Sequence, residues 1–277
     1  MLYKVKQYLD ALAYPYYRLA GRIPWTPGYV TAKRRGIEYA IRNNLLSPNK
    51  LLPVGYGFRI DERIIEYPWV YTRMEIPRGG KVLDAGSVLN YDFLLKFKPV
   101  SEARLTICTL APEKRCYWKS GISYVYDDLR ATMFRSEYFD CVVSISTIEH
   151  IGLDNTMLYT DDAAKREMDQ SGYIAAVREF RRIIKPGGTC FITVPYGKAA
   201  VRKWFQVFDA AMIESVLKAF EPRTSVLEYF AYDADGWRRA EAKELENSTC
   251  HDIHQDGKPF GDMAAGARGV VCMLLRT

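Results

Sequence analysis

No apolar run in this 277-residue chain approaches the roughly 20 residues needed to span a bilayer, which argues against a membrane-spanning protein. There is no C-x-x-C pair. Six cysteines, Cys108, Cys116, Cys141, Cys190, Cys250 and Cys272, are scattered, and Cys108, Cys141, Cys190 and Cys272 sit in apolar runs. Buried, reduced thiols in a reducing compartment are the simplest account. There is no internal repeat and no low-complexity tract. A secretory leader is not expected either, because Lys4, Lys6, Gln7 and Asp10 interrupt any continuous apolar stretch near the N-terminus. A cytoplasmic location is therefore expected. His251 and His254, with Cys250, Asp252 and Asp256, match no strong metal signature, and the expectation is a polar loop without a metal.

What is present is an ordinary globular balance, 48% hydrophobic and 26% charged residues, enough for a full core. The net charge of +6 suits acidic partners such as phosphorylated sugars, nucleic acid or anionic lipid without choosing among them, and suits a merely soluble surface equally well.

The first 75 residues differ from the rest. Residues 3–20 read as a helix, with Val5, Tyr8, Leu9 and Leu12 at helical spacing and Leu2, Lys4 and Lys6 beside them. The run Ile23–Gly28 breaks it, and a second helix is expected over Thr31–Asn43. Residues 55–69 interleave charges with aromatics, which suits either a segment packed over a polar ligand or a linker covering a sheet edge. From Lys81 onward, short apolar runs alternate with helical segments. Strands are expected at Lys81–Asp84, Leu105–Leu110, Tyr124–Tyr126, Phe139–Ser146, Thr189–Val194, Ser225–Tyr232 and Val270–Leu275. Helices are expected at Tyr173–Ile184, with Ile174, Val177, Phe180 and Ile184 on one face, and after a capping Asp209. Seven strands with interleaved helices predict an α/β fold with a mostly parallel, doubly wound sheet. The division expected is a mostly helical extension or cap over 1–75 and the α/β domain over 76–277.

In such sheets ligands bind beyond the carboxyl ends of the strands, where strand order reverses. The first strand runs into Asp84-Ala85-Gly86-Ser87-Val88-Leu89-Asn90, an acid followed by a glycine that permits a tight turn. After the third strand stands Asp127-Asp128-Leu129, twelve residues ahead of Asp140 in Phe139-Asp140. The fourth strand ends in Ser146-Thr147-Ile148-Glu149-His150, and Lys185-Pro186-Gly187-Gly188 precedes the fifth. In this joint order the segments resemble class I S-adenosylmethionine-dependent methyltransferases over roughly 81–196, including uncharacterised members of bacterial surface-glycan clusters. The resemblance implies a Rossmann-like fold and S-adenosyl-L-methionine as cofactor. Matched to the family's motifs, it implies cofactor contacts at Asp84, Gly86, Thr109, Asp128, Leu129 and Ser146, with Asp127 a second candidate for the place of Asp128. Two departures stand out. Only Gly86 survives of the family's three loop glycines, with Val88 and Asn90 in the other places. Thr109 stands where an acid normally grips the ribose.

Methyl transfer to a hydroxyl is helped by a general base. His150, Glu149 and Tyr196 fall in the two loops that border the acceptor in this family, and His150 has the most suitable ordinary pKa. A structural role for His150 is equally compatible. The expected acceptor is a polar small molecule or glycan, methylated on oxygen. Lys and Arg are not gathered in a long basic stripe, which argues against a nucleic-acid strand. The N-terminal helix could make peripheral contact with an anionic membrane surface, or pack against its own domain or a second copy. Two other functions stay open: a non-catalytic module that keeps the fold, and a nucleotide-dependent oxidoreductase. The oxidoreductase would want a fuller glycine fingerprint and an acid closing the second strand.

Overall fold

The run Cys141–Ile145 is buried throughout, as a central parallel strand covered on both faces must be. In the computed structural model, which describes residues 2–48, 50–160, 162–252, 254–257 and 261–277, this run lies in β4 (Phe139–Ile145). Side chains are described from Val5 onward, so those of Leu2 and Lys4 in the expected mixed helix face lie outside the description. On one side β4 pairs in parallel with β1 (Lys81–Ala85), Val82 beside Cys141 and Asp84 beside Val143. Beyond β1 come β2 (Arg104–Thr109) and β3 (Ser123–Tyr126), both parallel. On the other side lies β5 (Ile184–Pro195). The remaining strands are β6 (Ala200–Val201), β7 (Gln206–Val207), β8 (Thr224–Asp233), β9 (Gly236–Ala240) and β10 (Gly269–Arg276). The helices are α1 (Leu2–Leu19), α2 (Tyr29–Arg42), α3 (Arg63–Tyr71), α4 (Thr156–Tyr159), α5 (Gly172–Ile183) and α6 (Ala210–Phe220).

The large sheet has eight strands in the order β3-β2-β1-β4-β5-β10-β8-β9, and β6 and β7 form a separate hairpin. Seven of the eight strands fall where the sequence predicts them. The addition is β9, antiparallel to β8 at the sheet edge. Strand order reverses between β1 and β4, so the loops leaving these two strands flank the crevice. Among the described residues, no helix is long and apolar enough to cross a membrane.

The chain divides into two compact units. One comprises Met74–Glu228 and Val271–Thr277. Within it, the Phe-Asp pair and the Lys-Pro-Gly-Gly turn fasten the sheet together. Asp140 accepts hydrogen bonds from Lys185 Nζ at 2.5 Å and from the Lys81 N–H at 2.8 Å. A Cβ on Gly188 would fall 2.9 Å from the Lys185 carbonyl oxygen and 3.0 Å from that of Asp140, so this turn has no room for a side chain. The turn belongs to the start of β5 rather than separating helix from strand. The buried stripe of α5 is Tyr173, Val177 and Phe180 with Ala176 and Ile183, while Ile184 already belongs to β5. Asp209 caps α6, accepting the Met212 N–H at 2.9 Å.

The other unit comprises Met1–Arg73 together with Tyr229–Val270, so the predicted extension is joined by a C-terminal segment. The Asp10 carboxylate on α1 caps α2, accepting the Gly28 and Thr31 N–H groups, both at 2.7 Å, and the Thr31 hydroxyl at 2.6 Å. Gly28, at φ +95°, lets the two helices meet, since a Cβ there would lie 2.6 Å from Tyr17 Cβ. Residues 55–69 belong to this unit. Their second half is α3, buried along its whole length after Arg63, and Trp237 Nε1 donates to the Ile60 carbonyl at 2.8 Å.

Candidate active site

Asp84 is fully buried at the end of β1 and faces the loop that follows. Its two oxygens accept the Val88 N–H at 2.9 Å and the Leu89 N–H at 2.8 Å, closing the turn. Burial pushes its carboxyl up to about 7, against the opposing pull of the two N–H donors. Gly86, at φ +107°, lies against Thr147 in the loop after β4, where an added Cβ would be 2.4 Å from Thr147 Cγ2. Its N–H donates to the Cys108 carbonyl at 2.9 Å, tying this loop to β2.

Asn90, in the place of the third glycine, is buried and engaged on both ends of its amide. Nδ2 donates to the Arg115 carbonyl at 3.3 Å, and Oδ1 accepts from the Tyr124 hydroxyl at 3.0 Å. That hydroxyl also accepts the Tyr117 N–H at 2.8 Å. The side chain that replaces the glycine thus staples the stretch after β2 to β3.

Thr109 is buried at the end of β2, near the Tyr159 phenol of α4. The Asp127 N–H donates to the Thr109 carbonyl at 3.1 Å. The two aspartates after β3 divide the work. Asp127 accepts the Asp128 N–H at 2.9 Å and the Met133 N–H at 2.7 Å, which closes its own turn. Asp128, with its side chain 39% exposed, meets the Arg130 guanidinium through Nη2 at 2.6 Å and Nε at 3.0 Å. Burial raises the Asp128 carboxyl, but the Arg130 bonds outweigh it and hold the group below its ordinary range. Arg130 also grips Glu167, at 2.7 and 2.8 Å. Leu129 is buried beside this pair.

Ser146 turns the chain out of β4 at φ +38°, with its N–H donating to the Thr193 carbonyl at 2.9 Å. The short 3-10 turn Ile148–His150 follows. His150 Nδ1 lies 2.8 Å from the Trp204 carbonyl oxygen, and the two rings stack with centroids 4.8 Å apart and planes 20° apart. Glu149, nearly fully buried, sits 3.8 Å from His150 Nε2. Tyr196 is buried after β5, where its backbone bridges to Phe208. A cavity of about 380 Å³ begins three residues past His150, bounded by Leu153, Asp154, Arg166, Glu167, Arg202 and Lys203 among others.

The strand-end residues expected from the sequence thus gather around the loops after β1 to β4, and Glu149 adjoins His150. Tyr159, the Arg130–Glu167 pair and the Trp204 carbonyl were not anticipated. Nothing in their spacing marks them, because each meets its partner across a long sequence interval. In the other unit, Asp256 accepts the Asp252 N–H and Asp252 accepts the His254 N–H, both at 2.9 Å. Among the described residues, no three His, Cys, Asp or Glu side chains are grouped to hold a metal.

Residues 99–192 match the family model described as "Methyltransferase domain". No curated protein matches the chain. Among solved structures it is similar to a Burkholderia thailandensis 1,6-didemethyltoxoflavin-N1-methyltransferase with bound 1,6-didemethyltoxoflavin and S-adenosylhomocysteine (14% identity, 72% of each chain, TM-score 0.43). It is similar also to the N-methyltransferase NodS from Bradyrhizobium japonicum WM9 in complex with S-adenosylhomocysteine (16% identity, 72% of this chain and 78% of that one, TM-score 0.38). A third similar structure is the [4+2]-cyclase SpnF (15% identity, 75% and 78%, TM-score 0.45).

Proposed function

We propose that this chain moves a methyl group from S-adenosylmethionine to a hydroxyl of a polar small molecule or glycan, a reading supported by the match of residues 99–192 to a methyltransferase domain. The observation that carries the oxygen-directed reading is the hydrogen bond of His150. A carbonyl only accepts, so Nδ1 bears the proton toward Trp204, and the accepting nitrogen of the neutral ring is Nε2. The His150 side chain is 22% exposed against 3% for Glu149, which makes His150 the group an acceptor could reach. In this reading His150 takes the acceptor's proton, Glu149 orients the ring, and Tyr196 borders the acceptor.

The side chains fit the cofactor chemically. Asp128 is a partly exposed carboxylate suited to the exocyclic amine of adenine, with the Leu129 N–H beside it for a ring nitrogen. Thr109 offers a hydroxyl to the ribose, although without the charge an acid would bring. Asp84, Gly86 and Ser146 shape the loops around it. When bound, the cofactor supplies an activated methyl group. The chain's own residues bind, align and exclude water. The cavity wall mixes Arg166, Arg202 and Lys203 with Asp154 and Glu167, and Asp154 pairs with Arg166 at 3.5 Å and Lys203 at 3.9 Å, so it offers charges of both signs to a polar acceptor.

A specific observation favours a second reading, a non-catalytic module with weak cofactor affinity. Asp128 is already held by Arg130. Calorimetry with S-adenosylhomocysteine on the full chain separates the two. Measurable binding, with His150→Ala keeping that affinity while methyl transfer falls by about 100-fold, supports the enzyme. Absence of binding supports the module, and full transfer activity in His150→Ala removes His150 as the base.

A further inference from the structure

The apolar stripe that makes α1 recognisable as a helix points outward. Val5, Tyr8, Leu9, Leu12, Tyr16 and Leu19 recur at i, i+3, i+4, i+7, i+11 and i+14, which sets them on one face. All six are between 51% and 88% exposed. The opposite face is the packed one, where Tyr17 is buried against Tyr29 and Asp10 is consumed in capping α2. Asp10 is the one acidic residue of the helix. Lys6 and Arg18 are exposed on the flanks of the stripe. Residues 1–73 hold twelve Lys and Arg against five Asp and Glu, while residues 74–277 hold 27 against 28. With residues 229–270, which belong to the same compact unit, the unit that carries this helix holds 17 Lys and Arg against 13 Asp and Glu, a net +4 of the chain's +6.

We propose that the outward face of α1 binds an anionic lipid surface, lying in the plane of the interface. Val5, Leu9, Leu12 and Leu19 would enter the boundary between headgroups and acyl chains, and Lys6 and Arg18 would meet the lipid phosphates. Tyr8 and Tyr16 suit that boundary, since each has an apolar ring and a polar tip. A second copy of the chain is the poorer occupant. A helix of 18 residues is about 27 Å long, and a stripe about 10 Å wide on each copy buries roughly 500–600 Å² in total, short of the ~1,200 Å² of a stable interface. The inference is independent of the methyl-transfer reading.

The test is co-sedimentation of the full chain with vesicles of phosphatidylcholine alone and of phosphatidylcholine containing phosphatidylglycerol. The protein should pellet with the anionic vesicles, remain mostly in the supernatant with the neutral ones, and be released by salt. Leu9→Glu with Leu12→Glu should weaken anionic-vesicle binding by roughly tenfold or more while leaving the melting temperature unchanged, because neither side chain is packed. Lys6→Ala with Arg18→Ala should weaken binding to the anionic vesicles only. Equal recovery in the supernatant with both vesicle types overturns the proposal. So does a solution dimer that the Leu9→Glu, Leu12→Glu variant splits into monomers while the parent binds no vesicles.

Discussion

Gly86 and Thr147 touch across the crevice so closely that a single added carbon at Gly86 would sit 2.4 Å from Thr147 Cγ2 and 2.5 Å from its Oγ1. Gly86→Val should therefore displace the loop after β4, costing about 1–3 kcal/mol of stability and abolishing S-adenosylhomocysteine binding. Adding Thr147→Gly should restore stability only in part, because φ +107° still disfavours any side chain at position 86. Denaturant midpoints and calorimetry read both effects, and wild-type affinity in Gly86→Val would refute the assignment.

Asp84 makes stability depend on pH. Its folded pKa of about 7 lies above the ordinary 3.8, chiefly through burial, so between these values the folded chain holds a proton that the unfolded chain has released. The contribution is complete below about 4 and is lost as pH rises through 7, at about 1.4 kcal/mol per unit. Asp84→Asn carries no such proton. Chemical denaturation from pH 5 to 8 should find wild type losing stability relative to the variant, and parallel curves would place the carboxyl's pKa outside this window.

Asp128 is held by Arg130 before any ligand arrives. Asp128→Ala should weaken S-adenosylhomocysteine binding by about 1–2 kcal/mol, the worth of one hydrogen bond. Arg130→Ala should keep or raise affinity, because it releases the same carboxylate. A loss in Arg130→Ala as large as in Asp128→Ala would mean that the guanidinium positions the acid rather than competing for it.

Trp204 acts on His150 through a stacked ring and a backbone carbonyl, and only the ring is open to mutation. Trp204→Ala should lower kcat by roughly tenfold with little change in cofactor affinity, and Trp204→Phe should recover most of it, since stacking survives. A Trp204→Ala defect confined to cofactor affinity would contradict a positioning role.

The parts of this molecule legible from sequence are those whose physics is local. Strands buried on both faces announce themselves as unbroken apolar runs, as at Cys141–Ile145, and Asp209 marks the start of α6 because its side chain caps the helix it precedes. The edge strand β9 was not legible. Its Arg238 and Arg239 give it no apolar alternation, and its register is set by β8 across a two-residue turn. Helix α3 was hidden for the opposite reason. Pro68 and the mixture of charges mask its periodicity, and Glu66 is buried in an ion pair with Arg63 that only the fold reveals. At the candidate site, strand-end residues such as Asp84 and Asp128 follow from motif order. Tyr159, Glu167 and Trp204 do not, because each contact joins residues 37 or more positions apart.

The cysteines of the chain amount to a built-in reporter. Five are buried, and burial lifts the Cys108 and Cys141 thiols to about 12 and Cys190 well above its ordinary value, so they resist alkylation at neutral pH. Cys116 alone is exposed, and it sits between Arg115 and Tyr117, the two residues tied to Asn90 and Tyr124. A maleimide dye would accordingly attach at one place in the native protein, beside the loop that replaced a glycine with Asn90. Its emission could then follow that loop in real time without a single engineered residue.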